Sequence, residues 1–120
     1  MLLLSAHRRG MLAERRVALQ YEKRGFVVLD RNWRCRFGEL DLVVANVATL
    51  AVIEVKWRRS NEFGGPAGAV GSAKQSRIRA ATELWLMSHS EWSQRDDVAI
   101  RFDVAAVTGG EIEVIEAAFE

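Results

Sequence analysis

At 120 residues, 49% of them hydrophobic and 28% charged, the chain has the size and composition of one globular domain spanning residues 1–120, with a modest core. A single cysteine, Cys35, excludes a disulfide framework and a thiolate zinc cluster. The apolar opening Met1-Leu2-Leu3-Leu4 breaks at once into Ser5, His7, Arg8 and Arg9, too short for a signal-peptide core or a membrane span, so a cytoplasmic protein without membrane contact is expected.

In chain order, Ala13, Val17 and Tyr21 repeat at helical spacing, with Leu12 and Leu19 widening the stripe. This predicts a first helix over Met11–Arg24, stopped by Gly25. Phe26 to Leu29 reads as a strand and gives way to a polar, arginine-rich stretch, Arg31 to Arg36. Leu40–Ala45 and Leu50–Trp57 read as two further strands, joined at Asn46 to Thr49. The segment from Arg58 to Gly71 holds Gly64, Gly65, Pro66, Gly68 and Gly71 and reads as a loop. Ser72-Ala73-Lys74-Gln75 has the spacing of a capping box, which opens a second helix running to about Ser88 on a stripe of Ile78, Ala81, Leu84 and Trp85. After a polar loop (Ser90 to Asp97), Ile100–Val107 is a strand. Gly109-Gly110 then turns the chain into an edge strand, Ile112–Ile115. The order αβββαββ predicts a mixed sheet with helices on its faces.

Charge is uneven along this order. Residues 1–38 carry nine Arg or Lys against three acids, whereas residues 61–120 carry five bases against ten acids. Such asymmetry is compatible with an anionic polymer meeting one face, although a basic helix is more often plain solvated surface.

The chemistry concentrates in Gly38-Glu39-Leu40-Asp41 and Ile53-Glu54-Val55-Lys56. Side chains alternate along strands, so Glu39 and Asp41 share a face, as do Glu54 and Lys56. A two- or four-residue turn makes paired residue numbers sum to 95. Asp41 then lies opposite Glu54, and Glu39 opposite Lys56; a three- or five-residue turn shifts this register by one. The other face would collect Leu40, Leu42, Val44, Ala51, Ile53, Val55 and Trp57. Carboxylates about 5 Å apart across strands repel by about 4 kcal/mol at a protein-surface dielectric, which a proton, Lys56 or a bound cation relieves. Oxygen donors without suitable His or Cys favour Mg²⁺ or Mn²⁺. Lys56 would then orient a water nucleophile or stabilise charge on a phosphate. Acids alternating with apolar residues also mark ordinary half-exposed strands, where Glu39 and Lys56 would be a surface ion pair.

Asp41…Glu54-Val55-Lys56 resembles the Asp…(Asp/Glu)-x-Lys signature of the restriction-endonuclease-like nucleases. A longer ordered series takes in Glu14, Asn32-Trp33-Arg34, Gly38 to Val43, Glu54-Val55-Lys56 with Arg58, Phe63-Gly64, Val70, Lys74-Gln75 and Arg101-Phe102-Asp103-Val104. That series resembles the YraN family, small bacterial proteins similar to Holliday-junction resolvases. The resemblance implies an α/β, single-domain restriction-endonuclease-like αβββαβ core, with a central mixed sheet flanked by helices. It implies a metal-dependent endonuclease acting on DNA, branched or single-stranded, with a homodimer as the working form. Asp41, Glu54, Lys56 and Glu14 would be catalytic; Asp41, Glu54 and the Val55 carbonyl would hold Mg²⁺ or Mn²⁺; Glu39 would support them. No proline precedes Asp41, a departure from the superfamily pattern.

Trp33, Arg34, Arg58, Arg59, Lys74, Gln75 and Arg77 are the candidate nucleic-acid contacts, the last three opening a helix whose first turn suits phosphate. Trp57 and Trp85 fall on apolar stripes and are expected in the core, and Cys35 has no catalytic partner. A nucleic-acid-binding module that keeps the fold without cutting is the rival expectation.

Overall fold

The structure is a computed structural model in which residues 5–58 and 70–120 are described. Arg59 and most of the glycine-rich segment, including Phe63 and Gly64, lie outside these residues, as does the apolar opening. The elements are α1 (Ala6–Lys23), β1 (Val27–Cys35), β2 (Gly38–Ala45), β3 (Thr49–Arg58), α2 (Ser72–Met87), the one-turn α3 (Ser90–Ser93), β4 (Ala99–Thr108) and β5 (Glu111–Phe119). The strands form one five-stranded sheet in the order β1-β2-β3-β4-β5. Neighbours are antiparallel except β3 and β4, which run parallel. The crossover between those two carries α2, as a parallel pair requires. This is a mixed sheet with an αβββαβ core and one added edge strand.

Each helix covers one face of the sheet. Ala13, Val17, Ala18 and Tyr21 of α1 pack on Leu42, Val44, Ala51, Ile53, Ala105 and Val107. Ile78, Ala81 and Trp85 of α2 pack on Leu40, Val43, Ala45, Leu50, Val52, Phe102 and Val104. Both faces of β2 and β3 are therefore buried, and their sequences run apolar over four or more consecutive positions. The Trp85 ring is fully buried. Its indole N–H donates to Asp30 at 3.1 Å, and the His89 ring stacks on it at 3.9 Å between centroids.

Several expected boundaries move. Helix α1 begins at Ala6, a turn and more before Met11, because the Ser5 hydroxyl accepts the Arg8 N–H as an N-cap. Leu12 and Leu19 are exposed, and Ala18 takes the buried place instead. Strand β1 continues through the arginine-rich stretch to Cys35, since pairing with β2 satisfies its backbone whatever its side chains. Helix α2 is capped by Gly71, so Ser72 lies inside the helix and no capping box forms. The Gln75 amide donates instead to the Val70 carbonyl at 3.0 Å. The polar loop after α2 contains α3, and β5 extends to Phe119. Trp57 is 36% exposed with the Arg9 guanidinium 4.5 Å over its ring, because β3 there outruns β2 and loses its cover.

The β2–β3 register is the expected one. Leu42 pairs with Ile53 and Ala45 with Leu50, which leaves the four residues Asn46 to Thr49 between the last paired positions. The turn needs no glycine because the Asn46 side-chain oxygen accepts the N–H groups of Ala48 and Thr49 at 3.0 and 2.8 Å.

On the α1 side a buried polar hub joins helix, sheet and C-terminal strand. Asp103 of β4 is fully buried. It accepts the Tyr21 hydroxyl at 2.6 Å, Arg101 at 2.9 and 3.0 Å, and the Ala117 N–H at 3.0 Å. Ala117 sits at φ 49°, where the β4–β5 register slips opposite Asp103, so the carboxylate takes a backbone donor that the ladder leaves over. Burial and the neighbouring carboxylate push the Tyr21 hydroxyl pKa well up, so it stays a donor. Asp103→Ala removes the acceptor of the Tyr21 hydroxyl and the Ala117 N–H and leaves Arg101 only Glu116 at 3.6 Å, so it is expected to cost about 3–5 kcal/mol; Tyr21→Phe should cost about 1–2 kcal/mol. Urea denaturation of both variants checks the order, and equal losses would show that the hub does not act through Asp103.

Candidate metal and nucleic-acid site

The site forms where β2 and β3 part. Their pairing runs from the turn only as far as Leu42 and Ile53. Beyond it β3 stays with β4 to the pair Arg58–Thr108, while β2 stays with β1. Asp41 is the first residue of β2 past the split, and its Oδ2 accepts the Val55 N–H at 2.8 Å, replacing a strand carbonyl. The same bend breaks the alternation of β2: Leu40 packs under α2, whereas Leu42 packs under α1. The single apolar face expected for Leu40 with Leu42 is thus divided between both cores.

Across β2 from Asp41 lies Asn32, between the paired residues Arg31–Leu42 and Trp33–Leu40. Asn32 has φ 49°, a left-handed conformation that asparagine tolerates better than most residues. It places the side-chain amide in a hydrogen bond to Glu14. Sequence reasoning included Asn32 in a motif but gave it no place in the site. The available signal was its place in the Asn32-Trp33-Arg34 run of the family series, since the strand itself was expected to end at Leu29.

Four carboxyl groups converge. Oxygens of Glu14 from α1 and of Glu39 and Asp41 from β2 lie within 4.8 Å of one another. Glu54 faces Asp41 from β3, and the two carboxyls share a hydrogen bond. Asp41 lines two adjoining cavities. One, of about 250 Å³, is bounded by Phe37, Glu39, Asp41, Glu54, Lys74 and Arg77. The other, of about 380 Å³, is bounded by His7, Met11, Glu14, Asn32, Arg34, Glu39 and Asp41.

The electrostatics follow from this crowding. Burial, then the Glu54 carboxylate, pushes the Asp41 carboxyl up to about 9, so it carries the shared proton. Glu54 is held below its ordinary value: burial works against this, but the Asp41 hydrogen bond and Lys74 outweigh it. Glu14 is raised by burial and by Glu39 and Glu54, partly offset by Asn32. Lys56 is lowered by burial and by Lys74 beside it, despite Glu54.

Of the expected contacts, Lys74 is turned inward, its Nζ 2.9 Å from Glu54 Oε2. Glu39 does not meet Lys56; it pairs with Arg34 of β1 at 3.6 Å, because β2 has left β3 before reaching that register. Arg34 is largely exposed at the mouth of one cavity, and Arg77 bounds the other. Trp33 packs partly against the core under α2, Gln75 is committed to Val70, and Arg58 ends β3. The donor set is one of hard oxygens with a surplus of negative charge, which fits a divalent cation. Glu14, Glu39 and Asp41 can hold one, with Glu54 adjoining.

A pH dependence follows. A native carboxyl held above its unfolded value binds a proton that the unfolded chain releases, so stability falls as pH rises between about 4 and 9. In chelator, wild type is expected to lose stability to urea over that window relative to Asp41→Asn, which keeps a donor toward Glu54 without titrating. Parallel pH profiles for the two proteins would refute the shared proton.

The family model described as uncharacterised protein family UPF0102 matches residues 13–107, which include all four carboxylates and both lysines. A UPF0102 protein of Syntrophus aciditrophicus is 40% identical over 117 residues, covering 94% of this chain and 89% of its own. One from Nitrosomonas europaea is 36% identical over 119 residues and 97% of both chains. One from Nocardia farcinica is 46% identical over 95 residues, 77% of this chain and 71% of its own. With its nuclease-like core and these relatives, the chain belongs to the uncharacterised protein family UPF0102, the YraN family.

Proposed function

We propose that this protein is a metal-dependent endonuclease that hydrolyses phosphodiester bonds in DNA, with branched or single-stranded DNA as the substrate class. The observation that carries the reading is the position of Asp41. It stands at the split between β2 and β3, against Glu54 and within 4.8 Å of Glu14 and Glu39 oxygens, with Lys56 and Lys74 adjoining. Mg²⁺ or Mn²⁺ held by Asp41, Glu54 and the Val55 carbonyl would neutralise charge developing on the phosphate. Lys56 lies beside these ligands with a lowered pKa, so it can take a proton from the attacking water or face the phosphate as a cation. Glu14, raised by burial and anchored by Asn32, can hold a proton at the opposite side of Asp41. Arg34 and Arg77 at the two cavities give phosphates on either side a cation to meet, with Arg58, which ends β3, assigned the same role and Arg59, outside the described residues, proposed with it. Among the described residues no helix is long and apolar enough to cross a membrane. On this proposal the protein is cytoplasmic and works on DNA, as a homodimer where two strands must be cut.

The test is cleavage of linear, nicked, flapped and four-way DNAs in Mg²⁺ and in Mn²⁺. Metal-dependent cutting should fall at least about 100-fold in Asp41→Ala and in Lys56→Ala, the scale on which proton transfer and charge stabilisation contribute. Cutting that survives both substitutions rules this site out. DNA binding without cutting under every metal condition would instead identify a binding module on a nuclease-like fold.

A further inference from the structure

We propose that Lys74 is a tethered cation that competes with the divalent ion for the carboxylate site and must release Glu54 before the ion binds tightly. The inference rests on the metal-site reading above and concerns how that site is regulated. Lys74 does not belong to the strands that carry the ligands; it reaches in from the first turn of α2. Its ammonium lies 2.9 Å from a Glu54 oxygen, where the Glu54 side chain is 8% exposed and Lys74 itself is 37% exposed. The carboxylate end of this pair is therefore fixed, and the lysine end is free to swing.

Against burial, the Glu54 and Asp41 carboxylates hold the lysine inward and raise its pKa. Lys56 is the other basic neighbour there, its own pKa lowered by burial and by Lys74, so the carboxylate charge is shared between two lysines. Repulsion between a lysine and a divalent ion is twice that between two lysines at the same distance. An ion ligated by Glu54 and Asp41 would therefore drive Lys74 off. Space to receive it exists: Lys74 and Arg77 bound the same cavity, one helical turn apart. Moved to that wall, Lys74 would stand with Arg77 where a phosphate oxygen meets two cations. Lys74 is on this account a positioning residue, which exchanges an internal carboxylate for the substrate's charge.

The experiment is calorimetric titration of the full chain with Mn²⁺ alone, on wild type, Lys74→Met, Lys74→Arg and Asp41→Asn, with thermal melts in chelator and in saturating Mn²⁺. Lys74→Met should bind Mn²⁺ about tenfold more tightly than wild type, within the usual range of coupling between two bound species. Lys74→Arg, which keeps the charge, should stay near wild type. By mass action, Mn²⁺ should raise the melting temperature of Lys74→Met by more than that of wild type. Wild-type binding that is lost in Asp41→Asn but unchanged or weaker in Lys74→Met overturns the competition and leaves the metal site standing. A Lys74→Arg titration matching Lys74→Met overturns it too, since side-chain shape would then be the cause. No binding by wild type or Lys74→Met removes both the competition and the metal site.

Discussion

A missing backbone acceptor organises this molecule. Past Ile53 the amide of Val55 faces a neighbour strand that has turned away, and a buried N–H without a partner costs about 1–3 kcal/mol. The Asp41 carboxyl supplies the acceptor. That one bond fixes where a charged side chain must sit, at the fork of a sheet whose two faces are otherwise apolar. Each remaining feature of the site follows from having put a carboxyl there. Glu54 faces it from the other arm of the fork, Glu14 and Glu39 close on it from α1 and β2, and the lysines answer the charge.

The same device recurs on the α1 side of the sheet, where a second aspartate stands at a break in the ladder. Asp103 also lies at a strand irregularity and also takes a displaced backbone N–H, that of Ala117. The two differ in what compensates them. Asp103 has a guanidinium and a phenol within 3.0 Å and is closed off from solvent. Among the described residues, Asp41 has another carboxyl, and no guanidinium or phenol, as its side-chain partner and opens onto two cavities. The first arrangement is complete by itself and reads as architecture. The second is short of positive charge and open to whatever can supply it.

The sheet register was legible in the sequence because two short strands with a polar turn allow few pairings, and only one puts Asp41 opposite Glu54 and buries Leu42 with Ile53. The convergence of Glu14 on Asp41 was legible only through the family resemblance; helix periodicity put it merely beside the buried stripe. Two things were hidden. The bend at Asp41 reverses the face of Leu40 and takes Glu39 away from Lys56, and neither hydrophobicity nor alternation marks a place where two strands will diverge. The inward turn of Lys74 was hidden as well. A lysine in a first helical turn reads as solvated or phosphate-facing, and only the crossover of α2 brings it over Glu54. Asn32 lies between these cases, part of the family series yet without a stated role until β1 is seen to run through it and its φ of 49° is known.

The charge balance of the fork explains why hydrolysis suits it better than simple adhesion to DNA. A surface built only to hold a polyanion does best with cations facing outward and acids removed, because each exposed carboxylate repels the backbone it must meet. Here four carboxyl groups are gathered at the floor of the cavities, while the lysines stand beside them and the arginines at the rims. Such a floor weakens DNA binding unless a multivalent cation covers it. On the proposed reading, Glu14, Glu39, Asp41 and Glu54 would hold a cation that supplies charge for a phosphate, with Lys56 beside them to take a proton. Burying that much like charge beside a strand split destabilises the fold, as the raised Asp41 carboxyl records. Such an arrangement has a use in the proposed metal-dependent hydrolysis that it would not have in adhesion alone.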